Sequence, residues 1–415
     1  MPKTVGILTG GGDCPGLNAV IRAVVRQANR LGYETIGILE GWRGALENNM
    51  VRLDREKISG ILPRGGTILR TSRTNPARDE ASLGRVIDAL TALGVRYLIC
   101  IGGDDTTYGA ARIAERTRGR IGIVTVPKTI DNDLPLPENA ATFGYETART
   151  IGAGIIESLM EDARTTSRWY LTISMGRKSG SLALGMCKSA GATLAVIPEE
   201  FRGKKFDLAL VVDIIVGAII KRRASGHDDG VAVIAEGIAE RMDVGTLASA
   251  AGSHADAYGH VHIADIPLGI VLRDQVGAAL KQLGIDATVV AKDIGYELRC
   301  AKPLPFDVDY TRTLGYGAVR HLLSGGSGVL IAIAGGRVTP VNFEQLLDPD
   351  TGRIRVRTVD VSTESYQVAR SYMIRLELQD FEEPALSRLA EHAKLSAAAF
   401  KARFLPSVRA TTDGS

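Results

Sequence analysis

The sequence predicts an α/β fold, with two three-layer α/β domains built on mainly parallel sheets and a largely helical C-terminal extension. Three observations predict it. Short, near-continuous apolar runs recur along the chain, among them Val5–Thr9, Tyr97–Ile101 and Ile121–Val126. Glycine turns follow such runs, and amphipathic helices follow the turns. Apolar strands alternating with helices read as a parallel sheet covered on both faces.

In chain order, Val5–Thr9 is the first strand and meets Gly10-Gly11-Gly12-Asp13, then Pro15. Leu17, Val20, Ile21, Val24, Val25, Ala28 and Leu31 then recur at helical spacing, with one buried stripe. Gly32 stops that helix, and Thr35–Leu39 is the next strand. Tyr97–Ile101 leads through Gly102-Gly103-Asp104-Asp105 into a helix ending near Thr117. Ile121–Val126 passes through Pro127 into Lys128-Thr129-Ile130-Asp131-Asn132-Asp133. A second series starts with Tyr170–Met175, a turn at Gly176 and a helix over Ser181–Ala190. Thr193–Ile197, Val231–Ala235 and Gly328–Ala334 are further strands. Both series are Rossmann-like. The expected domains are 1–146, with about 297–345 returning to it, then 147–296, then an extension over 346–415. The tail from about Ser365 reads as helical and carries no legible chemistry.

Composition bounds the function. At 415 residues the chain exceeds one small domain. Its 45% apolar and 23% charged residues fit a packed core. A net charge of +3 argues against a nucleic-acid protein held by a basic surface. The four cysteines, Cys14, Cys100, Cys187 and Cys300, form no CxxC, so small core positions in a reducing, cytoplasmic setting are expected. The chain opens straight into a strand, so no signal peptide is expected, and charges or glycines break every apolar stretch short of a membrane span. His254, His260 and His262 read as a polar loop rather than a metal site. Lys221-Arg222-Arg223 reads as solvated capping of a helix end, and Trp42 as packing or as an edge of a binding site.

In such sheets ligands sit beyond the carboxyl ends of the strands, so the strand-end residues carry the functional reading. Gly10-Gly11-Gly12-Asp13-Cys14-Pro15-Gly16 suits either an anion at a helix start or a plain strand-to-helix turn. Asp104 and Asp105 suit helix capping or a magnesium site, since Mg²⁺ takes one or two carboxylates and leaves the remaining positions to water and phosphate oxygens. Asp131 and Asp133 are two apart, so an extended segment would point both to one side. One would take a proton from a hydroxyl and the other would hold metal or water. Lys128 and Thr129 add a cation and a hydroxyl, and Arg177 adds a fork suited to phosphate.

These stretches in this order resemble the phosphofructokinase family, from Thr4 to about Leu330. The matching segments are GGDCPGLNAVIR, GGT at Gly65–Thr67 with Arg73, GGDD, PKTIDND, FGYETA at Phe143–Ala148, MGR, AEG at Ala235–Gly237, and GYELRCAKPLPFD at Gly295–Asp307. The resemblance implies Mg²⁺-dependent phosphoryl transfer to the 1-hydroxyl of fructose 6-phosphate. It implies Asp131 as general base, Thr129 at the transferred group, and Asp104 with Asp133 at the metal. Gly11, Gly12, Gly103, Asp105, Lys128 and Arg73 would serve the phosphoryl donor. Met175, Gly176, Arg177, Glu236, Tyr296 and Arg299 would hold the sugar phosphate. Arg168 would reach a neighbouring subunit's sugar phosphate, which implies a homo-oligomer, dimer or tetramer.

Two departures point to the donor. ATP-using members usually have glycine where Asp105 stands, and often glycine where Lys128 stands. The pair resembles the pyrophosphate-dependent branch. A carboxylate at Asp105 crowds and repels a nucleotide's α-phosphate, while Lys128 faces a small, highly charged donor. Val290 stands where many members have an arginine, with Lys292 nearby, and Tyr296 where a histidine is common. The alternatives are an ATP-dependent enzyme, a preference for another sugar phosphate such as sedoheptulose 7-phosphate, and a non-catalytic sensor.

Overall fold

A computed structural model describes residues 4–201, 203, 205–250 and 266–412. His254, His260 and His262 lie outside the described residues. The chain forms two compact units, Met1–Ala148 with Tyr296–Arg357, and Arg149–Gly295 with Thr358–Ser415. The strands in chain order are β1 (Thr4–Thr9), β2 (Glu34–Ile38), β3 (Met50–Leu53), β4 (Val95–Gly102), β5 (Gly122–Pro127), β6 (Arg168–Ser174), β7 (Leu194–Val196), β8 (Gly230–Ala235), β9 (Thr288–Ile294), β10 (Val329–Ala334) and β11 (Arg337–Asn342).

The first unit holds a seven-stranded sheet in the order β11-β10-β5-β4-β1-β2-β3. Its inner strands are parallel, and β3 and β11 close the edges antiparallel. On one face Leu8, Leu98, Cys100 and Ile123 pack with Trp42, Leu83, Val86, Leu90 and Ile113. Strand alternation turns Ile7 and Ile99 to the other face, where helices Leu17–Arg30 and Pro305–Leu323 lie together. Trp42 is a core residue. Cys14, Cys100 and Cys187 are buried as expected, whereas Cys300 is exposed and all four are free thiols.

The second unit holds four parallel strands in the order β7-β8-β6-β9. Helix Leu208–Arg223 is apolar all round, so it needs cover on more than the sheet side. The C-terminal segment supplies that cover. Leu376 and Phe404 close on Gly217, where an added Cβ would lie 2.6 Å from Leu376 Cδ1. Phe381, Leu389, Phe400 and Val408 join the same core. The residues after 345 are therefore divided, packing with the first unit through Arg357 and with the second from Thr358. The basic run at the end of that helix is matched by acids. Lys221 Nζ donates to Asp380 at 2.6 Å, Arg222 to Asp229 at 2.8 Å, and Arg223 lies 3.2 Å from Asp228. Among the described residues, no helix is long and apolar enough to cross a membrane.

Candidate active site

Strand register builds the site in the first unit. Thr9 pairs with Ile101, and Ile101 and Gly102 pair with Val126 and Pro127, so three parallel strands end level. The turns that follow them are stitched together. Gly10 N–H donates to Ile101 O at 2.9 Å and Lys128 N–H to Gly102 O at 3.0 Å. The glycine turn, Asp104-Asp105 and the segment from Lys128 to Asp133 thus stand side by side, as strand-end logic requires.

The glycine turn does less through its first N–H groups than the sequence suggests. Gly11 N–H is committed to Ser72 O at 3.0 Å, and Thr71 Oγ1 donates to Gly11 O at 2.6 Å. Gly11 matters instead for the space it leaves. Its φ is 82°, and a Cβ there would lie 3.2 Å from Lys128 Nζ. Lys128 is buried and donates to Gly12 O at 2.7 Å. Burial pushes its pKa below the ordinary lysine value, against the pull of Asp131 and Asp133. Arg299 stands beside the same turn, because a Cβ on Gly12 would lie 3.2 Å from its guanidinium carbon. Tyr296 is exposed, with Arg299 5.6 Å from its ring centre. Arg73 follows Ser72 and is exposed.

The carboxylates form one electrostatic group. Asp104 opens helix Asp104–Thr117 and accepts the N–H of Asp105 at 2.8 Å, and the Asp105 side chain is exposed. Gly103 caps that helix in an extended conformation. Asp133 has its pKa pushed up to about 6, first by burial and then by the charges of Asp131 and Asp104. A hydrogen bond from the Thr129 hydroxyl opposes the rise. Thr129 Oγ1 also accepts the N–H of Asp131 at 3.0 Å. Among the described residues, no three His, Cys, Asp or Glu side chains form a protein-only metal cage.

Two supports escaped the sequence reading. Thr142 donates its hydroxyl to Thr129 O at 2.7 Å and its N–H to Asn132 Oδ1 at 3.1 Å, bracing the loop that carries Asp131. Asp307 is fully buried and accepts from Gly144 N–H at 2.7 Å, Thr147 N–H at 2.9 Å and Thr147 Oγ1 at 2.6 Å. That joins FGYETA to the end of GYELRCAKPLPFD and caps helix Tyr145–Thr166. The signal was the two motifs themselves, an acid in one and N–H donors at a helix start in the other.

The second unit shows the same strand-end geometry. Ser174 pairs with Ala235 and with Ile294, so Met175, Glu236 and Gly295 follow level strand ends. Gly176 N–H donates to Glu236 Oε1 at 3.0 Å, and Met175 N–H to Ile294 O at 3.0 Å. Arg177 is exposed beside them. Arg168 is not part of this cluster. It begins β6, at the opposite end from Met175, with its Nε 4.0 Å from Asp162. Val290 and Lys292 lie on β9, Val290 half-buried and Lys292 exposed.

Comparison with known proteins bears on this geometry. A Thermotoga maritima protein named pyrophosphate--fructose 6-phosphate 1-phosphotransferase is 50% identical over 392 residues, covering 92% of this chain and 93% of that protein. A Naegleria fowleri protein of the same name is 45% identical over 414 residues, covering 97% and 95%. The crystal structure of a pyrophosphate-dependent phosphofructokinase from Nitrosospira multiformis matches with a TM-score of 0.69 at 19% identity, covering 89% of this chain and 90% of that one, which speaks to the fold. The family profile described as phosphofructokinase matches residues 4–322, and with it this chain belongs to the phosphofructokinase family.

Proposed function

We infer that the protein moves a phosphoryl group from pyrophosphate to the 1-hydroxyl of fructose 6-phosphate, giving fructose 1,6-bisphosphate and phosphate. The observation that carries the donor reading is Lys128, a buried ammonium set against the glycine turn while Asp105 stands in the first turn of the next helix. A cation in a small polar niche suits a compact donor with its charge on two phosphates. A nucleotide would bring its α-phosphate and sugar against the Asp105 carboxylate. The relative that is 50% identical names the same donor and acceptor.

Phosphoryl transfer depends on alignment and charge neutralisation more than on covalent chemistry. Asp131 takes the proton of the 1-hydroxyl as that oxygen bonds to the terminal phosphorus. The P–O bond to the other phosphate breaks, and the leaving phosphate keeps the electron pair. Lys128 and Arg73 offset charge on the donor, Gly11, Gly12 and Gly103 leave it room, and Thr129 touches the moving group. Asp104 and Asp133 would hold Mg²⁺, which neutralises phosphate oxygens when bound. The fit rests on Asp133, whose proton affinity is raised first by burial and then by the neighbouring carboxylates of Asp131 and Asp104. A cation that shares carboxylates with substrate phosphates needs no protein-only cage.

Met175, Gly176, Arg177, Glu236, Tyr296 and Arg299 serve the sugar phosphate. Arg168, at the far end of β6 from Met175, serves a neighbouring copy's sugar phosphate in a homo-oligomer. The reaction is reversible and belongs to cytoplasmic glycolysis or gluconeogenesis. A coupled assay with fructose 6-phosphate and Mg²⁺, comparing pyrophosphate with ATP, tests the reading. Activity with pyrophosphate alone is expected, with a shift toward ATP in Asp105→Gly. Strong wild-type activity with ATP would overturn the donor assignment.

A further inference from the structure

Arg357 lies beyond the segment that matches the family profile, which ends at residue 322. It is the last residue of the first unit. Its backbone N–H donates to Asp133 O at 2.8 Å. Its Nε donates to Asn132 O at 2.9 Å, its Nη1 to Ala140 O at 2.8 Å, and its Nη2 to Asn132 Oδ1. One residue therefore grips both the carbonyl and the side chain of Asn132, and the carbonyl of Asp133 as well.

Asn132 separates the proposed base from the proposed metal ligand. Its φ is 55°, in the left-handed region that non-glycine residues adopt rarely, asparagine more readily than most. Such a conformation persists where its surroundings over-determine it. Here Thr142 N–H holds the side chain from one side and the Arg357 fork from the other. If Asn132 relaxed to negative φ, the peptide planes on either side would turn, and Asp131 would rotate relative to Asp133. The guanidinium also places a positive charge near Asp133, while its three nitrogens donate to the uncharged oxygens of Asn132 and Ala140.

We propose that Arg357 is a positioning residue for phosphoryl transfer, locking Asn132 so that Asp131 and Asp133 keep the relative orientation the reaction needs. The proposal rests on the roles inferred above for those two aspartates. A lysine at 357 keeps the charge but cannot reproduce the three-nitrogen fork.

The test uses the full-length chain as Arg357→Lys and Arg357→Ala. Steady-state kinetics with pyrophosphate and fructose 6-phosphate are combined with hydrogen exchange over residues 128–142. Arg357→Lys should lose about 10- to 100-fold in kcat, the scale expected for ångström-level misplacement. KM for fructose 6-phosphate should stay within about threefold, and amides around Asn132 should exchange faster. Guanidinium ion, added at concentrations too low to unfold the protein, should restore part of kcat in Arg357→Ala, which a merely structural loss would not allow. Wild-type kcat and unchanged exchange in Arg357→Lys would overturn the proposal. If Arg357→Ala does not fold, the lysine variant still decides it. If wild-type protein transfers nothing from pyrophosphate, the functional reading fails, and the exchange measurement alone judges the grip of Arg357 on Asn132.

Discussion

Lys128→Met keeps most of the length of a buried side chain and removes its charge. Lys128 is 5% exposed, with Nζ 2.7 Å from Gly12 O. It lies 3.2 Å from where a Cβ on Gly11 would sit. A phosphate oxygen resting in the space left by Gly11 would therefore be roughly 3 Å from Nζ, with the centre of the phosphate's charge about 4 Å away. Two unit charges at that separation attract by about 4 kcal/mol at an effective dielectric near 20, and by about 1 kcal/mol in water. A niche open to substrate lies between these limits, at about 2–3 kcal/mol. That is roughly a 30- to 160-fold loss in kcat/KM for pyrophosphate. Initial rates with varied pyrophosphate at saturating fructose 6-phosphate read this directly, and the converse series should show a much smaller change in KM for the sugar. Burial already disfavours the charged lysine, so removing the ammonium offsets the lost bond to Gly12 O and the melting temperature should move little. A loss in kcat/KM under threefold, or one that merely follows a drop in melting temperature, would refute the assignment of Lys128 to the donor.

Asp131→Ala should lower kcat by about 10² to 10⁴-fold, the range for general-base removal, while calorimetry finds fructose 6-phosphate binding nearly unchanged; a kcat near wild type would remove Asp131 from the mechanism. Asp133, with its pKa pushed up to about 6, binds its proton more tightly folded than unfolded. Stability should therefore fall as pH rises from about 4 to about 6 in metal-free protein. Asp133→Asn should show a flatter melting profile over that range, and parallel profiles would clear Asp133 as the source. Phe404→Ala removes a fully buried ring 4.8 Å from Phe400 and should cost about 3–5 kcal/mol. Calorimetry should show a lowered transition, and an unchanged one would mean that the C-terminal helix is not needed to cover Leu208–Arg223.

The strands legible in the sequence are those buried on both faces. In β1, β5, β6 and β8 almost every side chain is apolar or small, and the run itself is the signal. The strands that escaped are β3, β9 and β11, edge strands of their sheets, while the edge strand β7 is buried throughout and was legible. Where an edge strand buries less, as β9 does with Lys292 and Asp293 exposed, its sequence looks like a loop. The glycine and carboxylate motifs were legible because each sits within a few residues of a strand end. Strand register then brings them level with no further sequence information.

What stayed hidden is held by long-range bonds to backbone. Arg357 reaches a loop 225 residues away in sequence, and most of its acceptors are carbonyl oxygens, which every residue possesses. No residue type in the loop announces that partner. Asn132 is the one trace, a residue tolerant of left-handed backbone between two aspartates, and its need for an outside brace emerges only once its φ is known. The C-terminal segment was hidden differently. Its alanines, leucines and charges suggest no chemistry, yet helix Leu208–Arg223 was already apolar on every side. Such a helix cannot be satisfied by a sheet alone, so the demand for cover was written about 150 residues before the segment that meets it. A tail that reads as inert is therefore better judged by the unsatisfied surface it must cover than by its own composition.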